Sequence, residues 1–545
     1  MCLFSRLLYI HIIRRPFLTD LAKRQHNIFV KLEPRRGNIY DRAKRVLAVY
    51  LDVASVYAVP REIGNAGKAA DIISKNLDLD RGAIESKLGR DNYFVWIKRK
   101  VEPGEAEIVR NLDVKGVYLT DEAKRFYPGK TLACHVLGIT DIDNDGLEGV
   151  ELQYNKELKG EYGWKRSMRD AKRRELVSFQ SDILPKRDGE NLVLTIDEVI
   201  QYIVEKEVQD IVGSYRPTSV SIVALDPRTG EVLALANYPA FDPNNVNDTS
   251  ALKNRAISDS FEPGSVFKIV TASAALEEGV VDFDTEVFCE EGTYKVGRRI
   301  LHDYRPYGNL SFRQVIEKSS NIGTVKVAAK LGKEKMAMYI KRFNLDRPTG
   351  IDLPGEVSGI MRDPDKWRDV DMTTIPMGQG IAITALQLAT TVSVIANDGV
   401  LMRPYLVSQT LNENGALIRE RGAQKIRRVI SKETAAKVKE LMEGVVERGS
   451  GKKARLSDFR AGGKTGTAQK VDPKGGYYKK KYIASFIGFA PYETPLVALV
   501  ICVDDPRKKH FGGQVCAPAF KNIMEKILSY LEIESDRKSE AKKTS

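Results

Sequence analysis

The spacing of apolar residues predicts a buried helix near the middle of the chain, with a serine in its first turn. Pro263 and Gly264 end whatever element precedes them. Apolar residues then recur at helical spacing, at Val266, Phe267, Ile269, Val270, Ala272, Ala275 and Leu276. Because positions i and i+3 lie on one face of a helix, Ser265 and Lys268 are predicted to be neighbours.

Other apolar runs predict one antiparallel sheet with helices on both faces. Two runs separated by the turn 226–230 predict a hairpin of strands, and two later runs extend it, giving strands 219–225, 232–236, 483–489 and 496–503. Helical spacing begins near residue 198 and recurs in segments 312–318, 322–331, 385–396 and 519–531. The N-terminal third mixes short β-rich runs, such as 53–59 and 93–97, with charged helical runs. The pattern therefore predicts an α+β protein.

A serine beside a lysine becomes a nucleophile only if the lysine can accept its proton. Burial, the positive end of a helix and a second nearby cation all lower the pKa of a lysine and prepare it for this role. The Ser-x-x-Lys spacing also occurs at Ser250, Ser450, Ser535 and Ser539. Those four matches lie in polar segments, so only Ser265 is predicted to stand at the start of a buried helix.

Two later motifs complete the candidate chemistry. Ser319, Ser320 and Asn321 stand between two predicted helices, where a hydroxyl and an amide would face the first pair; a helix N-cap is the alternative interpretation. Segment 462–468 alternates small and β-branched residues, as expected of a strand.

On such a strand Thr465 and Thr467 share one face, while Gly466 leaves room for another chain to approach the backbone closely. Lys464 directly precedes them in the segment. An extended peptide substrate is therefore expected along this edge.

In this order, the three motifs resemble the set shared by penicillin-binding proteins and serine β-lactamases. Further stretches resemble class B penicillin-binding proteins, specifically the division-specific (septal) peptidoglycan D,D-transpeptidases. They are 36–42 (RGNIYDR), 125–128 (RFYP), 146–151 (GLEGVE), 350–356 (GIDLPGE) and 378–380 (GQG). The resemblance implies a transpeptidase domain, an antiparallel sheet between helices, set on an elongated N-terminal α+β pedestal domain.

The resemblance also implies a role for each motif residue. Ser265 would attack the penultimate D-Ala of a stem peptide, Lys268 would take its proton, Ser319 would relay a proton to the leaving D-Ala, and Asn321 would hold the substrate amide.

Lys464 would keep the cleft positive. Thr465, Gly466 and Thr467 would bind the substrate, whose terminal carboxylate meets the two threonines, and the backbone N–H groups of Ser265 and Thr467 would form an oxyanion hole.

The family organisation predicts four segments. These are a remnant of a membrane anchor (1–30), the pedestal or dimerisation domain (31–194), the transpeptidase domain (195–532) and a disordered charged tail (533–545). Lys44 stands where the family usually has glycine, so an altered turn is expected there.

Composition narrows the classes of partner. Lys and Arg number 86 against 73 Asp and Glu, a net charge of +13, which suits an anionic membrane or wall surface as well as a generally basic exterior. The five cysteines and five histidines are scattered, so neither a metal, nor a disulfide framework, nor a Ser-His-Asp triad is expected. No cofactor and no nucleic acid is expected. The family implies stem peptides ending in D-Ala-D-Ala, β-lactam inhibitors, a membrane-embedded glycan polymerase and other division proteins as partners.

The N-terminus departs from the single spanning helix of the family. Its apolar run covers only residues 2–13 and is interrupted by Arg6, whereas a span needs roughly 20 residues. Either the true start lies upstream or this is a truncated form. The family location is the plasma (inner) membrane, with the catalytic domain in the periplasm or extracytoplasmic space.

Four alternatives stay open. A class A β-lactamase would carry a Glu-x-x-Leu-Asn loop after the Ser-x-Asn motif, and the chain has none. A β-lactam sensor would lack the pedestal, and a non-catalytic division scaffold would not need the intact motifs. A side-wall elongation transpeptidase would share all of them.

Overall fold

The computed structural model describes residues 4, 6, 9–15, 17, 27–112, 114–169, 175–176, 183–297 and 299–535. Most of the predicted anchor remnant lies outside these residues, apart from a π-helical turn at Tyr9–Ile13. Within the described parts of the chain, no helix combines the length and the apolar character that crossing a membrane requires.

The N-terminal unit is built from short strands and helices. Its strands are β1 (Asn27–Leu32), β2 (Ile39–Tyr40), β3 (Val46–Ala58), β4 (Val95–Val101), β5 (Val117–Phe126), β6 (Gly163–Arg169), β7 (Glu175–Leu176), β8 (Ile183–Leu184) and β9 (Asn191–Leu194). Its helices are α1 (Ala66–Leu77), α2 (Arg81–Leu88), α3 (Pro103–Asn111), α4 (Cys134–Leu137), α5 (Gly149–Gln153) and α6 (Asn155–Lys159). Strand β3 pairs with both β4 and β5, and α1 to α3 bury an apolar core against that sheet.

A buried carboxylate joins the three family-like stretches of this unit. Glu151 is fully buried and accepts hydrogen bonds from Arg36 Nε and Arg125 Nε at 2.6 Å each, and from the Tyr127 hydroxyl at 3.2 Å. Although burial opposes ionisation, the two guanidinium groups hold the pKa of Glu151 below its usual value. Removing either arginine would leave a buried charge without compensation, so the cluster holds the unit together.

The C-terminal unit contains the remaining elements. Its strands are β10 (Ser219–Leu225), β11 (Val232–Tyr238), β12 (Glu286–Phe288), β13 (Thr293–Val296), β14 (Arg299–His302), β15 (Asn309–Ser311), β16 (Ile360–Met361), β17 (Ile381–Ala382), β18 (Val400–Met402), β19 (Val407–Leu411), β20 (Leu417–Glu420), β21 (Lys425–Arg428), β22 (Gly462–Val471), β23 (Tyr477–Ala490) and β24 (Val497–Asp504). Its helices are α7 (Glu198–Tyr215), α8 (Arg255–Ser258), α9 (Lys268–Glu277), α10 (Phe312–Glu317), α11 (Asn321–Leu331), α12 (Lys333–Arg342), α13 (Asp369–Met372), α14 (Ala385–Ala396), α15 (Lys432–Glu447) and α16 (Gly512–Tyr530).

A five-stranded antiparallel sheet forms the centre of this unit, in the order β11-β10-β24-β23-β22. One face packs on α7 and α16, and the other packs on α14 and the helices that surround it. The predicted hairpin, its two added strands and the helix at 385–396 are confirmed. Strand β22 lies at the edge of the sheet, with one side open to the cleft.

A second sheet joins the two units. Strands β19 and β20, from the C-terminal half, continue the N-terminal sheet through β9 and β2. The buried Asp352 carboxylate reinforces this junction, because it accepts hydrogen bonds from the Tyr154 hydroxyl at 2.7 Å and from the backbone N–H groups of Leu406 and Val407. The N-terminal and C-terminal units therefore share hydrogen-bonded structure.

The predicted start of the closing helix is wrong. Helix α16 begins at Gly512, not at residue 519, and runs through Pro518, because Val515 and Cys516 are buried in the core on the near side of that proline. The segment predicted as disordered from residue 533 begins with ordered contacts: Ile533 packs on the core, and the Ser535 hydroxyl donates to the Asp458 carbonyl. Residues 536–545 lie outside the described residues.

The turn at Lys44 contains a left-handed residue with a side chain. Lys44 adopts φ +62°, a left-handed conformation that a lysine takes at a cost of about 1 kcal/mol. The Asp41 carboxylate compensates by accepting hydrogen bonds from the backbone N–H groups of Ala43 and Arg45.

Candidate active site

The predicted nucleophile lies in a tight turn that leads directly into a buried helix. Gly264–Phe267 forms a 3₁₀ turn, and helix α9 follows at Lys268. Ser265 is partly exposed, whereas Val266 and Phe267 are each only 1% exposed. The sequence prediction of a buried helix headed by Ser265 is confirmed, with a 3₁₀ rather than an α-helical first turn.

Lys268 is completely buried beneath this turn. Its amine donates hydrogen bonds to the Ser319 carbonyl at 2.7 Å, to Asn321 Oδ1 at 2.8 Å and to the Ser319 hydroxyl at 3.3 Å. Burial lowers the pKa of Lys268 to about 7, and the Asp303 carboxylate opposes this shift. No hydrogen bond joins this amine to the Ser265 hydroxyl within the described residues.

The Ser319 motif forms the corner between helices α10 and α11. Ser319 adopts φ +60°, which is unusual for a residue with a side chain, and its hydroxyl lies between the two lysine amines. The helix N-cap is Ser320, whose hydroxyl accepts from Gly323 N–H at 2.9 Å. The N-cap interpretation therefore holds for Ser320, and Ser319 is free to face Lys268.

Lys464 enters the same centre from edge strand β22. Its side chain is fully buried, and its amine donates to the Ser319 hydroxyl at 2.8 Å. Burial and the neighbouring Lys268 charge lower the pKa of Lys464 well below its usual value. The two amines share one hydroxyl, Ser319 Oγ, as their hydrogen-bond acceptor.

Thr465 and Thr467 lie on the other face of β22, as predicted. Thr465 Oγ1 is 2.8 Å from Ser450 Oγ, and Thr467 Oγ1 accepts from Gly512 N–H at 3.1 Å.

The space that a side chain at Gly466 would occupy is filled by the chain itself. A Cβ atom at Gly466 would lie 2.2 Å from Ser485 Oγ and 2.8 Å from a methyl carbon of Val266. The backbone of Gly512 approaches Gly466 as well.

Sequence reasoning missed two residues of this centre. Asp303 follows strand β14 and accepts hydrogen bonds from Ser320 and Asn321, while Ser450 follows helix α15 and contacts Thr465. Asp303 lies outside the three sequence motifs. Ser450 belongs to one of the Ser-x-x-Lys matches that were set aside as polar. Only three-dimensional contact reveals either residue, since their partners are at least 15 residues away in sequence.

Comparison with known proteins identifies the fold. A family model described as the penicillin binding protein transpeptidase domain matches residues 220–525. The chain belongs to this family. A second model, the penicillin-binding protein dimerisation domain, matches residues 31–194. The predicted α+β fold class and the family resemblance are thereby confirmed.

Relatives match over nearly the whole chain. Stage V sporulation protein D of Bacillus subtilis is 34% identical over 99% of this chain and 85% of its own length. Peptidoglycan D,D-transpeptidase FtsI of Escherichia coli is 32% identical over 98% of this chain and 90% of its own. The crystal structure of penicillin binding protein 3 from Mycobacterium tuberculosis, complexed with aztreonam, superimposes with a TM-score of 0.73 at 29% identity, covering 93% of this chain and 98% of that one.

Proposed function

We propose that the protein is a serine-type peptidoglycan D,D-transpeptidase that cross-links stem peptides, in septal wall synthesis during cell division, and that β-lactams acylate it. The main support for the proposal is the burial, the hydrogen bonding and the lowered pKa of the Lys268 amine. This amine is fully buried one turn after Ser265, is held by Ser319 and Asn321, and has a pKa lowered to about 7. Such a lysine accepts a proton near neutral pH, whereas an exposed lysine is almost entirely protonated there.

In the first half-reaction, Ser265 Oγ attacks the carbonyl carbon of the penultimate D-Ala, and Lys268 takes the hydroxyl proton. An ester bond forms at Ser265 as the C–N bond to the terminal D-Ala breaks. Ser319, which hydrogen-bonds both lysine amines, passes a proton to the departing amine.

In the second half-reaction, the amine of a neighbouring stem peptide attacks the ester. The amine gives up a proton to the lysine pair, the C–O bond breaks, and Ser265 regains its hydroxyl proton. A β-lactam acylates Ser265 in the same way, and the C–N bond that breaks is the amide bond of its ring. The amine produced stays attached to the acyl group, so it does not leave the site and no acceptor amine can enter.

The substrate would be held along β22. Its terminal carboxylate would meet the hydroxyls of Thr465 and Thr467, with the charge of Lys464 behind them. The nucleophile turn lies against this strand, since a Cβ at Gly264 would be 3.0 Å from the Thr467 carbonyl oxygen. This proximity supports an oxyanion hole made of the N–H groups of Ser265 and Thr467, where one donor is typically worth about 3 kcal/mol of barrier.

The named relatives favour this reaction over the alternatives. FtsI of Escherichia coli carries the name peptidoglycan D,D-transpeptidase and matches the pedestal as well as the catalytic half. A β-lactamase, a β-lactam sensor and a non-catalytic scaffold all differ from that relative in domain content or chemistry. We propose that the catalytic unit acts on the outer side of the plasma membrane. Its proposed partners are a membrane-embedded glycan polymerase and other division proteins.

The test is covalent labelling with a fluorescent penicillin. Ser265→Ala should abolish labelling, and mass spectrometry of the wild-type digest should place the penicilloyl group on Ser265. Ser250→Ala is the matched control, because Ser250 also has a lysine at i+3 but is exposed, and it should label normally. A penicilloyl group on any other serine would refute the proposed function. Rapid turnover of a chromogenic cephalosporin would instead indicate a β-lactamase.

A further inference from the structure

Asp303 connects the loop after strand β14 to the first turn of helix α11. Its Oδ1 accepts hydrogen bonds from the backbone N–H groups of Asn321 at 2.5 Å and Ile322 at 3.2 Å, and its Oδ2 accepts from the Ser320 hydroxyl at 2.5 Å. One carboxylate therefore satisfies three donors where the helix begins, although it lies about 18 residues earlier in the chain. A charged acceptor at a helix N-terminus is favourable on electrostatic grounds as well.

The same loop fixes the orientation of the Asn321 side chain. The His302 carbonyl accepts from Asn321 Nδ2 at 2.9 Å, and this leaves Asn321 Oδ1 directed at the Lys268 amine, 2.8 Å away. Residues 302 and 303 thus hold Asn321 by its backbone and by its amide nitrogen. Neither residue touches the Lys268 amine in a hydrogen bond or an ion pair.

The charge of Asp303 also reaches Lys268. The charged group that acts on the pKa of this amine is the carboxylate of Asp303, from the β14–β15 loop, and the amine of Lys464, from strand β22, hydrogen-bonds the same Ser319 hydroxyl. The groups that contact it from the α10–α11 corner, Ser319 and Asn321, are neutral. Asp303 raises the pKa of Lys268, against the effect of burial.

We propose that Asp303 is a positioning residue of the acylation reaction, which holds Asn321 against Lys268 and sets the pH range in which Lys268 accepts the serine proton. The proposal rests on the proposed function, since it assigns Asp303 a part in the reaction of Ser265. It predicts that charge and position at residue 303 have separable effects, and two substitutions can distinguish them.

Asp303→Asn tests the charge. Asparagine keeps an oxygen that accepts from the N–H groups of Asn321 and Ile322, but it removes the negative charge. The Lys268 pKa should then fall further, so the midpoint of the acylation rate against pH should move to lower pH, with a plateau close to wild type. The measurement is the rate of Ser265 labelling by fluorescent penicillin from pH 5 to pH 9.

Asp303→Glu tests the position. Glutamate keeps the charge but moves both oxygens by one methylene, so the midpoint should stay while the plateau rate falls by about tenfold or more, the cost of a misplaced reaction geometry. A role limited to capping the helix would lower the melting temperature of both variants and move neither the midpoint nor the plateau.

Asp210 supplies the matched control. It lies half-exposed on helix α7, outside the site, so Asp210→Asn and Asp210→Glu should leave both quantities unchanged. An unchanged midpoint in Asp303→Asn, or a wild-type plateau in Asp303→Glu, would overturn the inference. Failure of the proposed function gives a different result, because wild-type Ser265 would then either not be labelled at all or release the penicilloyl group rapidly, as a β-lactamase does.

Discussion

At the residue scale, the site depends on two lysines that meet at one hydroxyl. Lys268 and Lys464 are both fully buried, and each donates a hydrogen bond to Ser319 Oγ. Burial lowers the pKa of both lysines, and the neighbouring Lys268 charge lowers the pKa of Lys464 further. In the proposed reaction, a proton taken from Ser265 by Lys268 would pass on through the Ser319 hydroxyl, which hydrogen-bonds both amines.

The lowered pKa predicts how acylation depends on pH. Lys268 accepts the Ser265 proton only when its amine is neutral, and its pKa is about 7. The labelling rate of the wild-type protein should therefore rise with pH, about tenfold per pH unit below the midpoint, and level off above it.

Lys268→Arg is the accompanying variant, because a guanidinium keeps its proton at every accessible pH. It should lose labelling throughout the range. The exposed Lys330→Arg is its control and should follow the wild-type curve. A flat wild-type profile between pH 5 and pH 9 would contradict Lys268 as the base.

At the element scale, the nucleophile turn is held between a strand and a glycine loop. Gly264 N–H donates to the Gly378 carbonyl at 2.9 Å, and Gly264 itself adopts φ +57° beside the Thr467 carbonyl. Glu262 adds a tether on the other side of Pro263: its carboxylate accepts from Gly380 N–H at 2.8 Å and from the Tyr477 hydroxyl. The position of Ser265 thus depends on three distant segments.

Gly378→Ala should therefore displace the nucleophile turn. Gly378 adopts φ +81°, and a Cβ there would lie 2.2 Å from the Gly264 carbonyl oxygen, a backbone atom that cannot move without shifting Ser265. The labelling rate should fall by about tenfold or more.

Gly355→Ala is the control for this substitution. Gly355 has a similar φ of +79°, but nothing lies within 4 Å of its Cβ position. It should cost about 1 kcal/mol of stability through backbone strain and leave the labelling rate unchanged. Equal labelling by the two variants would show that the glycine loop does not position Ser265.

Sequence patterns predicted the helices and strands of the site more accurately than they predicted which side chains contact each other there. Helix α14 was predicted at its observed bounds because eleven of its twelve residues, all but Gln387, are apolar or small, and the Ser265 helix was predicted because its apolar residues recur at helical spacing. Asp303 and Ser450 were missed because a carboxylate before a turn and a serine after a helix have no periodic signature. At Gly466 the sequence indicated a close approach to the backbone, but it did not indicate that Ser485, Val266 and Gly512 of the same chain would be among the groups that approach.

At the scale of the whole molecule, part of the net charge of +13 is concentrated beside the cleft. We define a cationic rim of six exposed residues in two neighbouring segments, Lys479, Lys480, Lys481, Arg507, Lys508 and Lys509. The two segments touch, because the Tyr482 and His510 rings stack with centroids 4.2 Å apart and Asp505 N–H donates to the Tyr482 carbonyl at 2.8 Å. The second segment leads into Gly512, whose N–H donates to Thr467 Oγ1. None of the six side chains forms an ion pair with a carboxylate of the described residues.

The rim should accelerate the encounter with anionic ligands, since unpaired charges beside a cleft steer ions of opposite sign and salt screens them beyond about 10 Å at 0.1 M. Penicillins carry a carboxylate, as does the proposed stem peptide. The second-order acylation rate should therefore fall as salt rises from 10 mM to 500 mM.

The double variant Lys508→Gln, Lys509→Gln tests this attraction. Its acylation rate at low salt should be several-fold below the wild-type rate and should depend less on salt, so the rates of the two proteins should become equal at high salt. Lys68→Gln with Lys75→Gln makes the same charge change on exposed positions of the pedestal helix α1 and should behave like wild type. If the Lys508 and Lys509 substitutions changed the rate equally at low and high salt, the loss would come from a direct contact or a structural defect, and long-range attraction by the rim would be ruled out as its cause.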